Sequence, residues 1–312
     1  MKFASIDIGS NTLLLLIGIF NQEGEILPLV EKAEIVRLGE GLNETGQLKP
    51  EAMERTLNTL LKFTDLCHRN QVEGIACIGT EALRRASNSL EFIHRIQENC
   101  GFKVEIITGK KEAELAYLSA NLDFSTSDRN LVVLDIGGGS TELIWEKDQH
   151  GEFTRLQMVS MKMGSVRLTE QFIHEDPISE SSFQKLSDYI EERIEKDLSP
   201  LSPPEDGFTL VGLAGTVTTL ASMDQKLEEY DSKKIQGSVL SLTRLEHLIE
   251  ELKSKNLEDR KRIIGIEPKR ADVLLAGALI LRAVMKKLKA IHLVVSDRGI
   301  RYGLLYQKFY KP

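Results

Sequence analysis

The chain has 312 residues, of which 41% are hydrophobic and 28% are charged, with a formal net charge of −7. This length exceeds what one hydrophobic core usually supports, so two globular domains are expected. The negative charge argues against DNA binding. The lack of a long apolar run argues against a membrane partner, and the N-terminus has no features of a signal peptide, so a cytoplasmic protein is expected.

Cysteine and histidine side chains show no pattern of a metal site or a disulfide framework. The three cysteines, Cys67, Cys77 and Cys100, are widely spaced and form no C-x-x-C motif. The six histidines are scattered without an H-x-H or H-x-x-x-H pair. Each histidine is therefore interpreted as an ordinary surface or core residue.

The first part of the chain alternates strand and helix patterns. Hydrophobic spacing predicts strands at 3–8, 13–20 and 28–37, a helix at 50–69, a strand at 72–79, a short helix at 80–86 capped by Thr80, a helix at 89–99, a strand at 102–108 and a helix at 110–122. The polar stretch DFSTSDRN at 123–130 then interrupts the pattern. It is the predicted domain boundary and gives domains at 1–124 and 125–312.

After this break the same order starts again. The pattern predicts strands at 131–136, 140–146 and 153–161, helices at 165–174 and 180–197, a loop at 199–207, a strand at 208–213, a helix from 215, three helices between 243 and 288, a strand at 290–297 and a helix at 299–309. Asp7-Ile8-Gly9 returns as Asp135-Ile136-Gly137, each between the strands of a hairpin. A duplicated domain is therefore predicted, with two equivalent acidic turns facing each other across a cleft.

The two turns, in SIDIGSNT at 5–12 and VLDIGGGSTELI at 133–144, have the composition of phosphate sites. Glycine permits positive φ, and consecutive backbone N–H groups at such a turn form an anion-binding nest. A third turn, in GLAGTVTTLA at 212–221, opens a helix whose first amides favour anions. The predicted phosphate-binding residues are Ser10, Asn11, Thr12, Gly137, Gly138, Gly139, Ser140, Gly215 and Thr216.

The acidic residues of the two turns point to a metal ion. Asp7 and Asp135 cannot bind phosphate directly, but they can hold a divalent cation that does, which suits Mg²⁺. The alternative is a pair of ordinary hairpin turns with Asx-type capping. The duplication favours the phosphate interpretation.

Six phrases of this chain resemble a known family. They are ASIDIGSNT, GTEALRRA, DIGGGSTEL, MGSVRLTE, GLAGTVTTLA and VSDRGIRYGLL. In this order they are similar to the exopolyphosphatase/guanosine-pentaphosphate phosphohydrolase (Ppx/GppA) family in its short two-domain form. The resemblance implies the α/β, ribonuclease H-like duplicated fold of actin, hexokinase and the heat-shock-70 chaperones, with an interdomain cleft. It also implies Mg²⁺-dependent hydrolysis of the terminal phosphoanhydride of inorganic polyphosphate, or of pppGpp to ppGpp.

The resemblance also implies roles for individual residues. The family's catalytic glutamate falls on Glu112 and its basic phosphate-binding residue on Arg84. Its acidic cleft residues fall on Asp135 and Glu142, which together with Asp7 are the expected metal ligands. A glutamate suits phosphoanhydride hydrolysis because that reaction needs an oriented water more than covalent help. The chain departs from the family pattern at Glu114, Gln236 and Tyr302, which leaves the choice of substrate open.

Other interpretations remain at this stage. A small-molecule kinase or a nucleotide-dependent switch of the same fold would use the same two turns. The basic residues between Lys253 and Lys289 form either solvated helix faces with acidic neighbours or the wall of a channel for a long polyanion. The sequence does not choose between polyphosphate and pppGpp, and it leaves a homodimer open.

Overall fold

The computed structural model describes residues 1–125, 130–149, 153–199 and 207–311. The chain forms two compact units, one of Met1–Ser119 with Ile300–Pro312 and one of Ala120–Gly299. This division falls after Ser119, whereas the sequence places a domain boundary after residue 124. It also assigns the C-terminal segment to the first unit. The middle of the predicted break at 123–130 and most of the predicted loop at 199–207 lie outside the described residues.

The first unit is built on a five-stranded sheet. Its strands are β1 (Phe3–Ile8), β2 (Thr12–Phe20), β3 (Ile26–Ile35), β4 (Gly74–Gly79) and β5 (Val104–Ile106). Its helices are α1 (Leu42–Thr45), α2 (Pro50–Arg69), α3 (Glu81–Arg85), α4 (Ser89–Cys100) and α5 (Gly109–Phe124), the last of which continues into the second unit. The strand order is β3-β2-β1-β4-β5, with β1, β2 and β3 antiparallel and β4 and β5 parallel to β1.

Local sequence signals account for two helix limits in this unit, the start of α2 and the end of α4. Pro50 occupies the first position of α2, where a missing N–H costs nothing. Gly101 ends α4 in the left-handed conformation with φ 77°. Thr80 occupies the N-cap position of α3 as expected, but its side chain makes no capping hydrogen bond, because the hydroxyl donates to Ile8 O at 3.3 Å and accepts no N–H from the helix. Thr80 therefore links β4 to the end of β1.

The second unit is built on a six-stranded sheet. Its elements are β6 (Asn130–Ile136), β7 (Thr141–Gln149), β8 (Phe153–Met161), α6 (Ser165–Phe172), α7 (Glu180–Leu198), β9 (Phe208–Leu213), α8 (Ala214–Asp224), α9 (Ser232–Ile235), β10 (Val239–Ser241), α10 (Leu242–Ser254), α11 (Leu257–Arg260), a 3₁₀ turn at Pro268–Arg270, α12 (Leu274–Lys287) and β11 (His292–Val295). The strand order is β10-β11-β9-β6-β7-β8. The last helix, α13 (Gly299–Phe309), belongs to the first unit apart from its first residue.

Helix α12 forms the centre of the second unit's core. Its residues from Leu274 to Leu281 are all buried, and it packs against α6, α7, α8 and α10. A helix that is apolar on all sides is expected to be enclosed in this way. No helix among the described residues is long and apolar enough to cross a membrane.

The two sheets repeat one topology. Strands β1, β2 and β3 form an antiparallel meander followed by the parallel strands β4 and β5, and β6, β7 and β8 form one followed by β9 and β11. The duplication predicted from the repeated Asp-Ile-Gly phrase is thus present in the fold. Strand β10, which pairs antiparallel with β11, is an addition that the sequence pattern does not predict.

Candidate active site

The predicted site residues of the first unit lie at one edge of its sheet. Ile8 of β1 pairs in register with Gly79 of β4, which in turn pairs with Ile106 of β5. These three parallel strands therefore end side by side, and the segments that follow them start at the same edge. Ligands of open α/β sheets bind at this carboxyl edge.

The glycine turn of the first unit, residues 9–12, is closed by a hydrogen bond from Gly9 N to Thr12 O at 3.1 Å. The loop at 36–39 holds its carbonyls, with Gly39 N donating to Ser10 O at 2.8 Å and Val36 N and Arg37 N to Asn11 O at 3.0 Å. In a trans peptide the C=O and the following N–H point in opposite directions. The peptide N–H groups that follow these carbonyls therefore point away from this loop, as an anion-binding nest requires.

The glycine turn of the second unit, residues 137–140, repeats this closure, with Gly137 N donating to Ser140 O at 2.9 Å. Here the start of α6 holds the carbonyls. Ser165 N donates to Gly137 O, and Val166 N and Arg167 N both donate to Gly138 O, each at 3.0 Å. The turn is tightly packed, because a Cβ on Gly164 would lie 2.5 Å from the carbonyl carbon of Gly138. Gly137, Gly138 and Gly139 do not have the positive φ that glycine would permit, which is found at other glycines.

The ion pair of Arg84 and Glu112 joins the last turn of the short helix α3 to the first turn of α5. Arg84 Nη1 donates to Glu112 Oε2 at 3.2 Å and to Ile107 O at 2.8 Å. The two side chains are 29% and 15% exposed. The neighbouring Arg85 instead pairs with Glu81 and Asn43. The structure therefore brings together the two residues that the resemblance implies to be catalytic.

Glu114, one of the departures from the family pattern, pairs with both lysines at the start of α5. Its carboxylate lies 4.0 Å from Lys110 Nζ and 3.4 Å from Lys111 Nζ. These contacts compensate two cations that would otherwise oppose the helix dipole. The lysines therefore need no bound polyanion to explain their position.

The other two departures make hydrogen bonds within their own units. Gln236 donates to Asp123 Oδ2 at 3.0 Å and accepts from Asp297 N at 2.8 Å. Tyr302 donates its hydroxyl to Glu31 Oε1 at 2.9 Å. Both side chains thus have structural contacts that account for their presence.

The candidate metal ligands of the second unit form a cross-strand pair. Asp135 of β6 pairs in register with Glu142 of β7, and the side chains are buried. Ser160 Oγ donates to Glu142 Oε1 at 2.7 Å. Burial raises the pKa of Asp135 to about 6. Among the described residues no cationic side chain forms an ion pair with Asp135, so a buried carboxylate here is suited to a bound cation.

Asp7, the third candidate ligand, lies near the end of β1 in the first unit and is 7% exposed. Within the described ranges, no group of three or more His, Cys, Asp or Glu side chains forms a ready metal site. Mg²⁺ usually takes only one or two carboxylates and completes its shell with water and phosphate oxygens. The pair of Asp135 and Glu142 fits this requirement.

The third predicted turn, at 214–216, opens α8, and Ala214 there has the left-handed φ of 68°. It follows β9, whose last residue pairs in register with Asp135, so it lies at the same sheet edge as the glycine turn at 137–140. The Thr216 side chain is buried and lies against Gly277 of α12. The Arg270 guanidinium covers Gly215 and leaves no room for a Cβ.

Sequence reasoning missed Arg167 and Arg270 as parts of these turns. Arg167 Nε donates to Gly139 O at 2.7 Å. Burial lowers the pKa of Arg270, and the nearby Tyr230, Glu267 and Asp297 act in the opposite direction. Both arginines lie far along the chain from the turns that they contact. Only the presence of Arg167 in the phrase MGSVRLTE gave a signal.

Comparison with known proteins identifies relatives over the whole chain. Residues 19–311 match the model of the Ppx/GppA phosphatase family. The bifunctional 3-dehydroquinate synthase/phosphatase of Fusobacterium nucleatum is 33% identical over 97% of this chain, which spans only 46% of that protein. Exopolyphosphatase 2 of Mycobacterium tuberculosis is 32% identical over 97% of each chain. The crystal structure of the Aquifex aeolicus Ppx/GppA family member has a TM-score of 0.81 and 34% identity, covering 99% of this chain and 97% of that one.

Two sheets of one topology, each opening on an acidic glycine turn, define an α/β protein of the actin-like, ribonuclease H-like class. The match over residues 19–311 makes the assignment more specific. The chain belongs to the Ppx/GppA phosphatase family and with it to the phosphoanhydride hydrolases. The resemblance and the fold class expected from the sequence are thereby confirmed. The roles of individual residues stay predictions.

Proposed function

We propose that this protein hydrolyses the terminal phosphoanhydride of inorganic polyphosphate, with Glu112 as the general base. The observation that carries the proposal is the ion pair of Glu112 and Arg84, which joins the first turn of α5 to the short helix α3, the two helices that follow β5 and β4 at the carboxyl edge of the first sheet. An acid–base group beside a phosphate-binding guanidinium is what hydrolysis of a phosphoanhydride requires. Two relatives that cover most of this chain are named exopolyphosphatases.

Glu112 orients the attacking water and accepts its proton as the oxygen bonds to the terminal phosphorus. The bridging P–O bond breaks, and the products are orthophosphate and a chain shortened by one unit. Arg84 fixes the direction of the Glu112 carboxylate through the hydrogen bond at 3.2 Å. Both of its recorded contacts use Nη1. Among the described residues this leaves the Nη2 side of the guanidinium for a phosphate oxygen.

The glycine turns supply backbone N–H donors to the phosphate oxygens. Asp135 and Glu142 would hold Mg²⁺, with Asp7 as a further candidate ligand, and Ser160 fixes one oxygen of Glu142. Magnesium, when bound, neutralises charge on the phosphoryl oxygens. Its binding also relieves the cost of keeping the Asp135 carboxylate ionised in a buried position.

The substrate assignment extends to pppGpp, whose terminal phosphoanhydride presents the same group. Polyphosphate is placed first because of the names of the relatives. We expect the reaction to occur in the cytoplasm. The free, buried thiols of Cys67, Cys77 and Cys100 are compatible with a reducing compartment.

The test is phosphate release by the purified protein with Mg²⁺, offered long polyphosphate, tripolyphosphate, pppGpp and ATP separately. Release from polyphosphate that stops in Glu112→Gln supports the proposal. A protein that releases no free phosphate, but converts ATP to ADP only when an acceptor sugar is present and transfers the phosphoryl group to that sugar, would be a kinase. Release from pppGpp without release from either polyphosphate would overturn the substrate assignment but leave the reaction type in place.

A further inference from the structure

Within the glycine turn at 137–140, the start of α6 holds the three carbonyls of Gly137, Gly138 and Gly139. Ser165 N donates to Gly137 O, Val166 N and Arg167 N donate to Gly138 O, and Arg167 Nε donates to Gly139 O at 2.7 Å. Two of the three carbonyls are therefore held by backbone N–H groups, which every amino acid except proline provides. The third accepts from a side chain.

Each of these carbonyls sets the direction of the N–H that follows it, because a trans peptide places the two groups on opposite sides. The Gly137 and Gly138 carbonyls orient the N–H groups of Gly138 and Gly139. The Gly139 carbonyl orients the N–H of Ser140. This third donor of the nest therefore depends on Arg167 Nε.

We propose that Arg167 is a positioning residue of the phosphate site, which turns the Ser140 N–H toward a substrate phosphate by holding the Gly139 carbonyl. The proposal rests on the proposed function, since it needs the turn to bind a phosphate group. It assigns Arg167 a role through one N–H donor at the ε position. It does not use the positive charge of the guanidinium.

The first unit reaches the same arrangement without a side chain. There the carbonyls of Ser10 and Asn11 accept from the backbone N–H groups of the loop at 36–39. Substitutions in that loop, other than by proline, leave these donors in place. The second unit is therefore the one in which a single side-chain change reorients a nest donor.

Three substitutions separate the donor from the charge. Arg167→Gln places an amide nitrogen the same number of bonds from Cα as Nε, so it keeps the donor and removes the charge. Arg167→Lys keeps the charge but has a methylene at the ε position. Arg167→Met keeps an unbranched stem and removes both.

The measurements are KM and kcat for tripolyphosphate with Mg²⁺, and the dissociation constant of tripolyphosphate by calorimetry with each variant combined with Glu112→Gln, so that the ligand is not consumed during the titration. We expect Arg167→Lys and Arg167→Met to raise KM and the dissociation constant roughly tenfold, as the loss of a hydrogen bond to a charged group predicts. Arg167→Gln should stay within about twofold of the unsubstituted protein. Arg193→Gln, which breaks a surface ion pair with Asp197 in α7, is the matched control and should change neither constant.

Four results would overturn the proposal. Recovery by lysine but not by glutamine would mean that Arg167 acts through its charge. If tripolyphosphate binding were impaired equally in all three variants, or in none of them, the N–H donor at the ε position would not contribute to phosphate binding. A lower kcat at unchanged KM and affinity would mean a merely structural role. A wild-type protein that binds no tripolyphosphate would show that the turn is not a phosphate-binding nest. A wild-type protein that binds tripolyphosphate but does not hydrolyse it would refute the proposed function, and calorimetry would then still decide the role of Arg167.

Discussion

The two glycine turns share a phrase and a closing hydrogen bond but differ in what holds them. In the first unit, Gly39 packs on Ser10, and a Cβ at residue 39 would lie 3.2 Å from the Ser10 Cβ. In the second unit, Gly164 packs directly on the backbone of Gly138, where a Cβ would lie 2.5 Å from the carbonyl carbon. The first turn is supported by a loop and the second by the start of a helix.

The repeated phrase also differs between the two turns. The second turn has Gly138 and Gly139 where the first has Ser10 and Asn11, and Gly138 is the residue on whose backbone Gly164 packs. Duplicated turns thus keep the direction of their N–H groups while their supports diverge. The units also differ in their carboxylates, since the first has the Glu112–Arg84 ion pair and the second has the buried pair of Asp135 and Glu142.

The largest expected effect tests whether the first unit supplies the base. Glu112→Gln keeps size and polarity but removes the proton acceptor, so turnover should fall by about 10²–10⁴-fold. Substrate binding should be retained, because a negative charge near the polyanion is lost. Steady-state phosphate release and calorimetry measure the two effects.

Glu114→Gln is the internal control for this prediction. Glu114 contacts Lys110 and Lys111 but not Arg84 among the recorded ion pairs, and it lies about 200° around the helix from Glu112. Its loss should cost little turnover. If Glu114→Gln were the inactive variant and Glu112→Gln the active one, the base would be assigned to the wrong glutamate.

The next prediction concerns how Asp135 of the second unit affects the stability of the protein when no metal is bound. Burial raises the pKa of Asp135 from 3.8 to about 6. Between pH 3.8 and about pH 6, the carboxyl is therefore protonated in the folded state and ionised in the unfolded state. The stability from this group is fully present below about pH 3.8 and is lost as pH rises through about 6. In a chelator at pH 8, Asp135→Asn should therefore be more stable than the unsubstituted protein by up to about 3 kcal/mol.

Thermal unfolding at pH 4.5 and pH 8, with chelator and with Mg²⁺, measures this effect. The stability difference between the two proteins should shrink at the lower pH. Magnesium should raise the Tm of the unsubstituted protein more than that of Asp135→Asn. If Mg²⁺ raised the Tm of both proteins equally, Asp135 would not be a metal ligand.

The supports of the two turns can be compared by one matched pair of substitutions. Gly164→Ala forces backbone against backbone, and overpacking of this kind typically costs about 1–3 kcal/mol or more. Gly39→Ala meets the Ser10 side chain at a tight but tolerable distance and should cost clearly less. Urea unfolding gives both values. If the two costs are equal, the different packing of the two turns has no energetic consequence.

The strands and helices that have a strong period were predictable from sequence. The limits of α2 at 50–69, β8 at 153–161 and β9 at 208–213 agree with the structure residue for residue. Strand β10 was not predictable, because three residues carry no usable period and its pairing with β11 depends on tertiary contacts.

The candidate site was predictable only where its residues lie in local motifs. Glu112 and Arg84 were assigned from the family resemblance, and their ion pair joins positions 28 residues apart. Arg270 could not be placed over Gly215, because the two are 55 residues apart and share no periodic signal. Thr80 was placed correctly before α3, but its side chain makes no cap, because a hydroxyl before a helix can bond to another strand instead of its own helix.

The smallest expected effect concerns the basic stretch of the second unit. Lys286 and Lys287 in the last turn of α12 pair with Glu246 of α10 and Glu195 of α7, at 3.3 Å and 2.6 Å. These pairs favour the interpretation of the basic residues as solvated helix faces over that of a polyanion channel.

Replacing Lys286, Lys287 and Lys289 together by glutamine should therefore change KM by less than about twofold for both tripolyphosphate and long polyphosphate, since exposed pairs contribute little. A channel would instead weaken long chains more than short ones, and the loss would shrink as salt screens the exposed charges. Phosphate release from both substrates at low and high salt distinguishes these outcomes.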